Sequence, residues 1–164
     1  MIKPGEEVIL LAPFWVSYSA IVLMADGIPK ILKSDISNDF KVSAKQIDDA
    51  ISEKTKMIII NSPNNPSGSI YNKQELYELA SVVKKYPNVF VLSDEIYEHI
   101  NYGTEHVSFA SIEGMYDRTI TVNGIAKAFA MTGWRIGYLG APIWIAKACT
   151  CLLYTSDAAD ESVC

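Results

Sequence analysis

The sequence predicts an α/β fold, a mostly parallel sheet flanked by helices, and three features predict it. Short apolar, β-branched runs recur along the chain without the in–out alternation of a half-exposed sheet. Segments with helical spacing separate them. Polar residues fall just after successive runs, at Asn64 and Asn65, at Asp94 and at Lys127. In a parallel sheet such positions share the rim where ligands bind.

The elements follow in order. Glu6–Pro13 reads as a buried strand. Trp15–Asp26 reads as an apolar helix that stops near Gly27, a common helix terminator. Ile28–Asp35 is a weaker strand, and Pro29 places it at an edge. Ser43 and Gln46 form a capping box that opens a short helix with Ala44, Ile47, Ala50 and Ile51 on one face. Thr55–Asn61 is a strand, closed by the turn-rich Ser62–Gly68. Asn72 and Glu75 cap the next helix, whose apolar stripe is Leu76, Leu79, Ala80 and Val83 and which Pro87 stops. Val89–Asp94 is a strand, Ser108–Tyr116 a loose helix, and Thr119–Asn123 a strand. A glycine-bearing turn leads to Ile136–Gly140, and Pro142 suits the first turn of a helix that begins over Ile143–Thr150.

Composition narrows the function. The 164 residues carry a net charge of −5 and are 49% apolar. An acidic chain does not favour a nucleic-acid backbone, and the apolar share allows a sizeable core. The longest apolar runs are far shorter than the ~20 residues that a membrane span needs. Met1–Gly5 does not read as a signal peptide. Cys149, Cys151 and Cys164 have no zinc-site spacing, and free thiols in a reducing cytoplasm are the expectation. A nucleotide-binding α/β domain would place a glycine-rich loop after the first strand, where Phe14-Trp15-Val16 stand instead.

The rim residues supply complementary chemistry. Lys127 sits among Ala126, Ala128, Phe129, Ala130 and Met131. An apolar wall disfavours a charged ammonium, and a neutral amine can form a Schiff base. A carboxylate such as Asp94 can keep a heterocycle nitrogen protonated, and a guanidinium such as Arg135 can clamp a phosphate. An aldehyde anchor, a pyridinium partner and a phosphate clamp are what a pyridoxal phosphate site needs.

Three motifs then carry a resemblance. Ser62-Pro-Asn-Asn-Pro-Ser-Gly68, Ser93-Asp-Glu-Ile-Tyr97 and the run from Val122 to Tyr138, with Lys127 and Arg135 eight residues apart, resemble class I/II aminotransferases in content and order. Pro13-Phe-Trp-Val-Ser-Tyr18 is similar to the aspartate-type members. The resemblance covers Ile2 to Thr150 and implies part of the large domain of a fold-type I enzyme with pyridoxal 5′-phosphate as cofactor. It implies that Lys127 binds the cofactor aldehyde and then moves a proton, and that Asp94 pairs with the ring nitrogen. Tyr97 and Asn65 would bond the ring's phenolic oxygen, Arg135 the phosphate, and Trp15 the ring face. One departure is Ala126, where many relatives carry a serine that helps hold the phosphate. The lost hydroxyl is worth about 1–2 kcal/mol.

The resemblance further implies small-molecule partners, an amino acid and a 2-oxo acid, and a cytoplasmic homodimer. It divides the chain into residues 1–150, a partial cofactor-binding domain, and 151–164, an acidic tail foreign to the family that resembles artefactual read-through. The only arginines are Arg118 and Arg135. Arg118 precedes a strand, at the end opposite the rim, so the clamp for a substrate carboxylate lies outside this sequence, which reads as the middle of a longer enzyme. Alone, it is expected to have little or no transaminase activity, and its uncovered sheet faces and edges favour association. The alternatives are a family enzyme with another amino-acid substrate, or an aminotransferase-like ligand-sensing domain of a transcription regulator. A winged-helix segment would mark a regulator, and none stands in this sequence.

Overall fold

A computed structural model describes residues 1–103 and 105–157. Its strands are β1 (Glu7–Ala12), β2 (Ile28–Lys33), β3 (Thr55–Asn61), β4 (Phe90–Asp94), β5 (Thr119–Gly124) and β6 (Gly137–Gly140). Its helices are α1 (Ser17–Met24), α2 (Ala44–Ala50), α3 (Lys73–Lys84) and α4 (Ile143–Asp157). The strands form a six-stranded sheet in the order β2-β1-β3-β4-β5-β6. Every pairing is parallel except β5 with β6, which is antiparallel.

The uninterrupted apolar runs are buried on both faces. Val8, Leu10, Met57, Ile59 and Ile120 pack with Tyr18 and Val22 of α1 and Ile145 of α4. Ile9, Leu11, Ile58, Ile60 and Val91 pack with Ile47 of α2, with Leu76, Leu79, Ala80 and Val83 of α3, and with Phe109 and Met115. The alternation along each strand therefore sorts two cores rather than core from solvent. β2 lies at the edge and is half exposed, as Pro29 anticipates.

The caps follow the sequence in detail. Ser43 with Gln46, and Asn72 with Glu75, close reciprocal capping boxes at α2 and α3. The end of α1 differs from expectation. Its left-handed residue is Asp26, with φ 54°. The Asp26 amide donates to the Leu23 carbonyl and the Gly27 amide to Val22, the bonding of a Schellman motif. Gly27 serves another need: a Cβ there would stand 2.9 Å from Cγ2 of Ile2.

Two further expectations are corrected. Ser108–Tyr116 is not one helix but two short 3₁₀ turns, Phe109–Ser111 and Tyr116–Arg118. Gly114, at φ 77°, breaks the run between them. α4 continues past Thr150 to Asp157. No proline or glycine interrupts that stretch, so helix propagation is unopposed even without a buried stripe. Leu152, Leu153 and Tyr154 are exposed. Cys149 is a free thiol, whereas Cys151 is disulfide-bonded, against expectation. Cys164 and the rest of 158–164 lie outside the described residues. Among the described residues, no helix is long and apolar enough to cross a membrane.

Candidate functional site

The loops beyond the carboxyl ends of β1, β3, β4 and β5 converge on one cavity of about 250 Å³. Parallel strands make this unavoidable, because they all point their carboxyl ends to the same rim. Trp15, Asn65, Asp94, Tyr97 and Lys127 line it together with Tyr18, Asn61, Ile96 and Val122. Five of the six residues singled out in the sequence are thus brought together.

Asp94 ends β4 and is the most tied of them. Its Oδ2 accepts a 2.5 Å hydrogen bond from the Tyr18 hydroxyl, and its Oδ1 accepts from the Ile96 amide at 3.2 Å. The Asn61 side chain donates to the Asp94 carbonyl at 2.9 Å. Asn61 Oδ1 in turn accepts from the Asn65 amide at 2.8 Å, which sets the turn after β3. That turn carries cis peptide bonds at Ser62–Pro63 and Asn65–Pro66. From it the Asn65 side chain donates to the Tyr97 hydroxyl at 3.4 Å. The polar groups therefore form a connected set, with each position fixed by the strand end next to it.

Burial first, and then the charge and hydrogen bond of Asp94, push the Tyr18 hydroxyl well above its ordinary range. Tyr18 therefore stays a donor at any working pH. The Trp15 ring stands edge-on to Tyr18, with centroids 5.6 Å apart, and is half open to solvent.

Lys127 lies in the cavity lining, but its side chain is exposed. The apolar wall expected around it is not built: Phe129 is 55% and Met131 38% exposed. Phe129 turns instead to the His99 ring, edge-on with centroids 5.5 Å apart, and residues 129–138 are exposed. Arg135 is the predicted residue that the cavity lining does not include. It sits in that loop after the Thr132–Trp134 turn, at φ 55°, and donates to the Thr132 carbonyl at 3.2 Å. Arg118 lies at the opposite end of the sheet, as expected, and donates to the Val83 carbonyl at the end of α3.

Tyr18 and Asn61 were missed by sequence reasoning. Tyr18 reads as one more apolar residue of α1, and Asn61 as the tail of a strand. The available signal was position: Tyr18 lies one helical turn after Trp15 and so on the same face, and Asn61 is the polar end of an otherwise apolar strand. Replacing Tyr18 by Phe is expected to cost about 1–2 kcal/mol of stability, because a donor to a carboxylate is lost. Urea unfolding would read this, and an unchanged midpoint would mean that solvent replaces the bond.

Comparison with known proteins identifies the family. The family model described as aminotransferase class I and II matches residues 1–152. A bifunctional aspartate aminotransferase and glutamate/aspartate-prephenate aminotransferase of Petunia hybrida is 49% identical over 148 residues, 90% of this chain and 31% of that protein. An aspartate/prephenate aminotransferase of Nitrosomonas europaea is 46% identical over 151 residues, 90% of this chain and 38% of that protein. The crystal structure of the aspartate aminotransferase from Rhizobium meliloti superposes with a TM-score of 0.93 at 41% identity, covering 96% of this chain and 40% of that one. The aromatic aminotransferase from Pyrococcus horikoshii OT3 gives 0.91 at 40% identity, covering 94% and 42%. The chain spans about a third of the length of the curated relatives it matches.

Proposed function

Since the chain belongs to the class I and II aminotransferases, we propose that it is the cofactor-binding part of a longer pyridoxal 5′-phosphate enzyme that moves an amino group between an amino acid, aspartate foremost, and a 2-oxo acid. The observation that carries this reading is the meeting of an amine, a carboxylate, a phenol, an amide and an indole around one cavity.

The donor set fits the ring of the cofactor. Pyridoxal 5′-phosphate, when bound, supplies an aldehyde and a ring that withdraws electrons from the reacting carbon. Lys127 offers the amine that would anchor it and would afterwards carry a proton to and from the substrate carbon. Asp94 would keep the ring nitrogen protonated, and Tyr18 and the Ile96 amide hold that carboxylate in place. Tyr97 and Asn65, already bonded to each other, would serve the phenolic oxygen. Trp15 would cover a ring face. Arg135 is assigned to the phosphate from outside the cavity lining.

Activity is assigned to the longer polypeptide. Residues 1–150 supply its cofactor-binding domain, and 151–164 are not assigned to the family fold. In this chain Arg118 is committed to α3, which leaves no second guanidinium for a substrate carboxylate. Exposed Trp134, Ile136, Tyr138 and Trp144 fit a segment that further chain covers. A cytoplasmic homodimer is the assembly that the family resemblance supports, and aspartate as donor is supported by the names of the relatives above.

The test uses the full-length polypeptide. Borohydride reduction and peptide mapping are expected to place a pyridoxyl group on Lys127, and aspartate with 2-oxoglutarate is expected to turn over. Label on a different lysine would overturn the assignment of Lys127. DNA binding without turnover would overturn the enzymatic reading in favour of a sensor domain.

A further inference from the structure

We propose that Glu95 is a positioning residue, which holds the Asp94–Tyr97 segment in place through a buried tie from the end of β4 to residues 106–109. Where it concerns the cofactor, this rests on the proposed function above.

Glu95 follows Asp94 directly but faces the other side of the sheet. It is only 2% exposed, which is rare for a glutamate. Such a group persists only if its oxygens are satisfied. Oε1 accepts from the Ser93 hydroxyl at 2.9 Å, the Ser108 hydroxyl at 3.0 Å and the Phe109 amide at 3.1 Å. Oε2 lies 3.0 Å from His106 Nε2. Burial pushes the carboxyl up, but His106, Ser93 and Ser108 outweigh it and hold the group below its ordinary range. These are therefore bonds to a carboxylate, the stronger kind.

The tie ends on something firm. Phe109 is fully buried in the core beside α3. The backbone of Glu95 is equally committed. Its amide donates to Val122 of β5 at 2.9 Å, and its carbonyl accepts from Glu98 at 2.9 Å, closing the turn that carries Tyr97. Glu95 is thus fixed at the point where β4 becomes the cavity's loop, between Asp94 and Tyr97. Neither Glu95 nor Ser93, His106, Ser108 or Phe109 lines the cavity. A catalytic role is therefore not assigned; the effect is transmitted through the backbone.

The experiment compares Glu95→Leu, Glu95→Gln and His106→Leu in the full-length polypeptide. One readout needs no cofactor: the ¹³Cζ resonance of Tyr18, identified with Tyr18→Phe, reports its bond to Asp94. The other is affinity for pyridoxal 5′-phosphate. Glu95→Leu should move the Tyr18 resonance and weaken cofactor binding on the order of tenfold, as loss of a supporting contact does elsewhere. Glu95→Gln keeps an oxygen for Ser93, Ser108 and Phe109, and should stay within about threefold of the parent. His106→Leu should fall between them, and decides the matter if Glu95→Leu does not fold. A lower melting temperature with an unmoved Tyr18 resonance and unchanged affinity would reduce Glu95 to a structural residue and overturn the inference. If the parent protein takes up no cofactor, the proposed function fails, while the Tyr18 resonance still decides for or against Glu95.

Discussion

Lys127→Ala is expected to abolish covalent retention of the cofactor and to lower turnover by about 10³-fold, the middle of the range for losing a positioned general acid and base. Lys127 is the amine in the cavity lining, and no neighbouring lysine can replace it there. Its side chain is exposed and packs in neither core, so the substitution should leave stability within about 0.5 kcal/mol of the parent. Loss of activity can then be read as chemistry rather than unfolding. Borohydride-stable cofactor on the variant, or turnover near that of the parent, would remove Lys127 from the mechanism.

Asp94→Ala should act differently. Some cofactor should still bind, because the other contacts persist, but turnover should fall by on the order of 10²–10³, the usual loss when one preorganised electrostatic partner is removed. The same substitution strands the Tyr18 hydroxyl, which is buried and has Asp94 as its acceptor. A stability loss of about 1–3 kcal/mol should accompany it. Adding Tyr18→Phe to Asp94→Ala should recover part of that stability and none of the turnover. Recovery of turnover in the double variant would mean that Asp94 acts by keeping Tyr18 in place rather than by facing the ring nitrogen.

Much of this was legible in the sequence, for identifiable reasons. β1 and β3 are buried on both faces, so their apolar runs are continuous. The capping boxes at Ser43 and Asn72 are local and need no tertiary information. Asp94, Asn65 and Lys127 were found because strand ends in a parallel sheet share a rim, and because their motifs resemble a known family. Tyr18 escaped because its partner is 76 residues away, and its place one turn after Trp15 is a faint mark beside the apolar reading of the helix. Glu95 escaped for the same reason: its partners on the 106–109 segment are brought in by the fold, not by periodicity. The true length of α4 was hidden because its last turns, with Leu152, Leu153 and Tyr154 exposed, leave no stripe to read.

The antiparallel pairing of β6 has a consequence for how the site can vary. Gly124 and Gly137 face each other on one rung, and a Cβ on Gly124 would stand 2.9 Å from the Ile136 carbonyl. The loop carrying Lys127 and Arg135 therefore starts and ends at a single clasp. Its closure is set by the sheet, and lengthening it by a residue or two costs only about 0.1 kcal/mol. Lys127 and Arg135 thus sit on one cassette, and a change in its length is taken up within it while the strand register beneath stays unchanged.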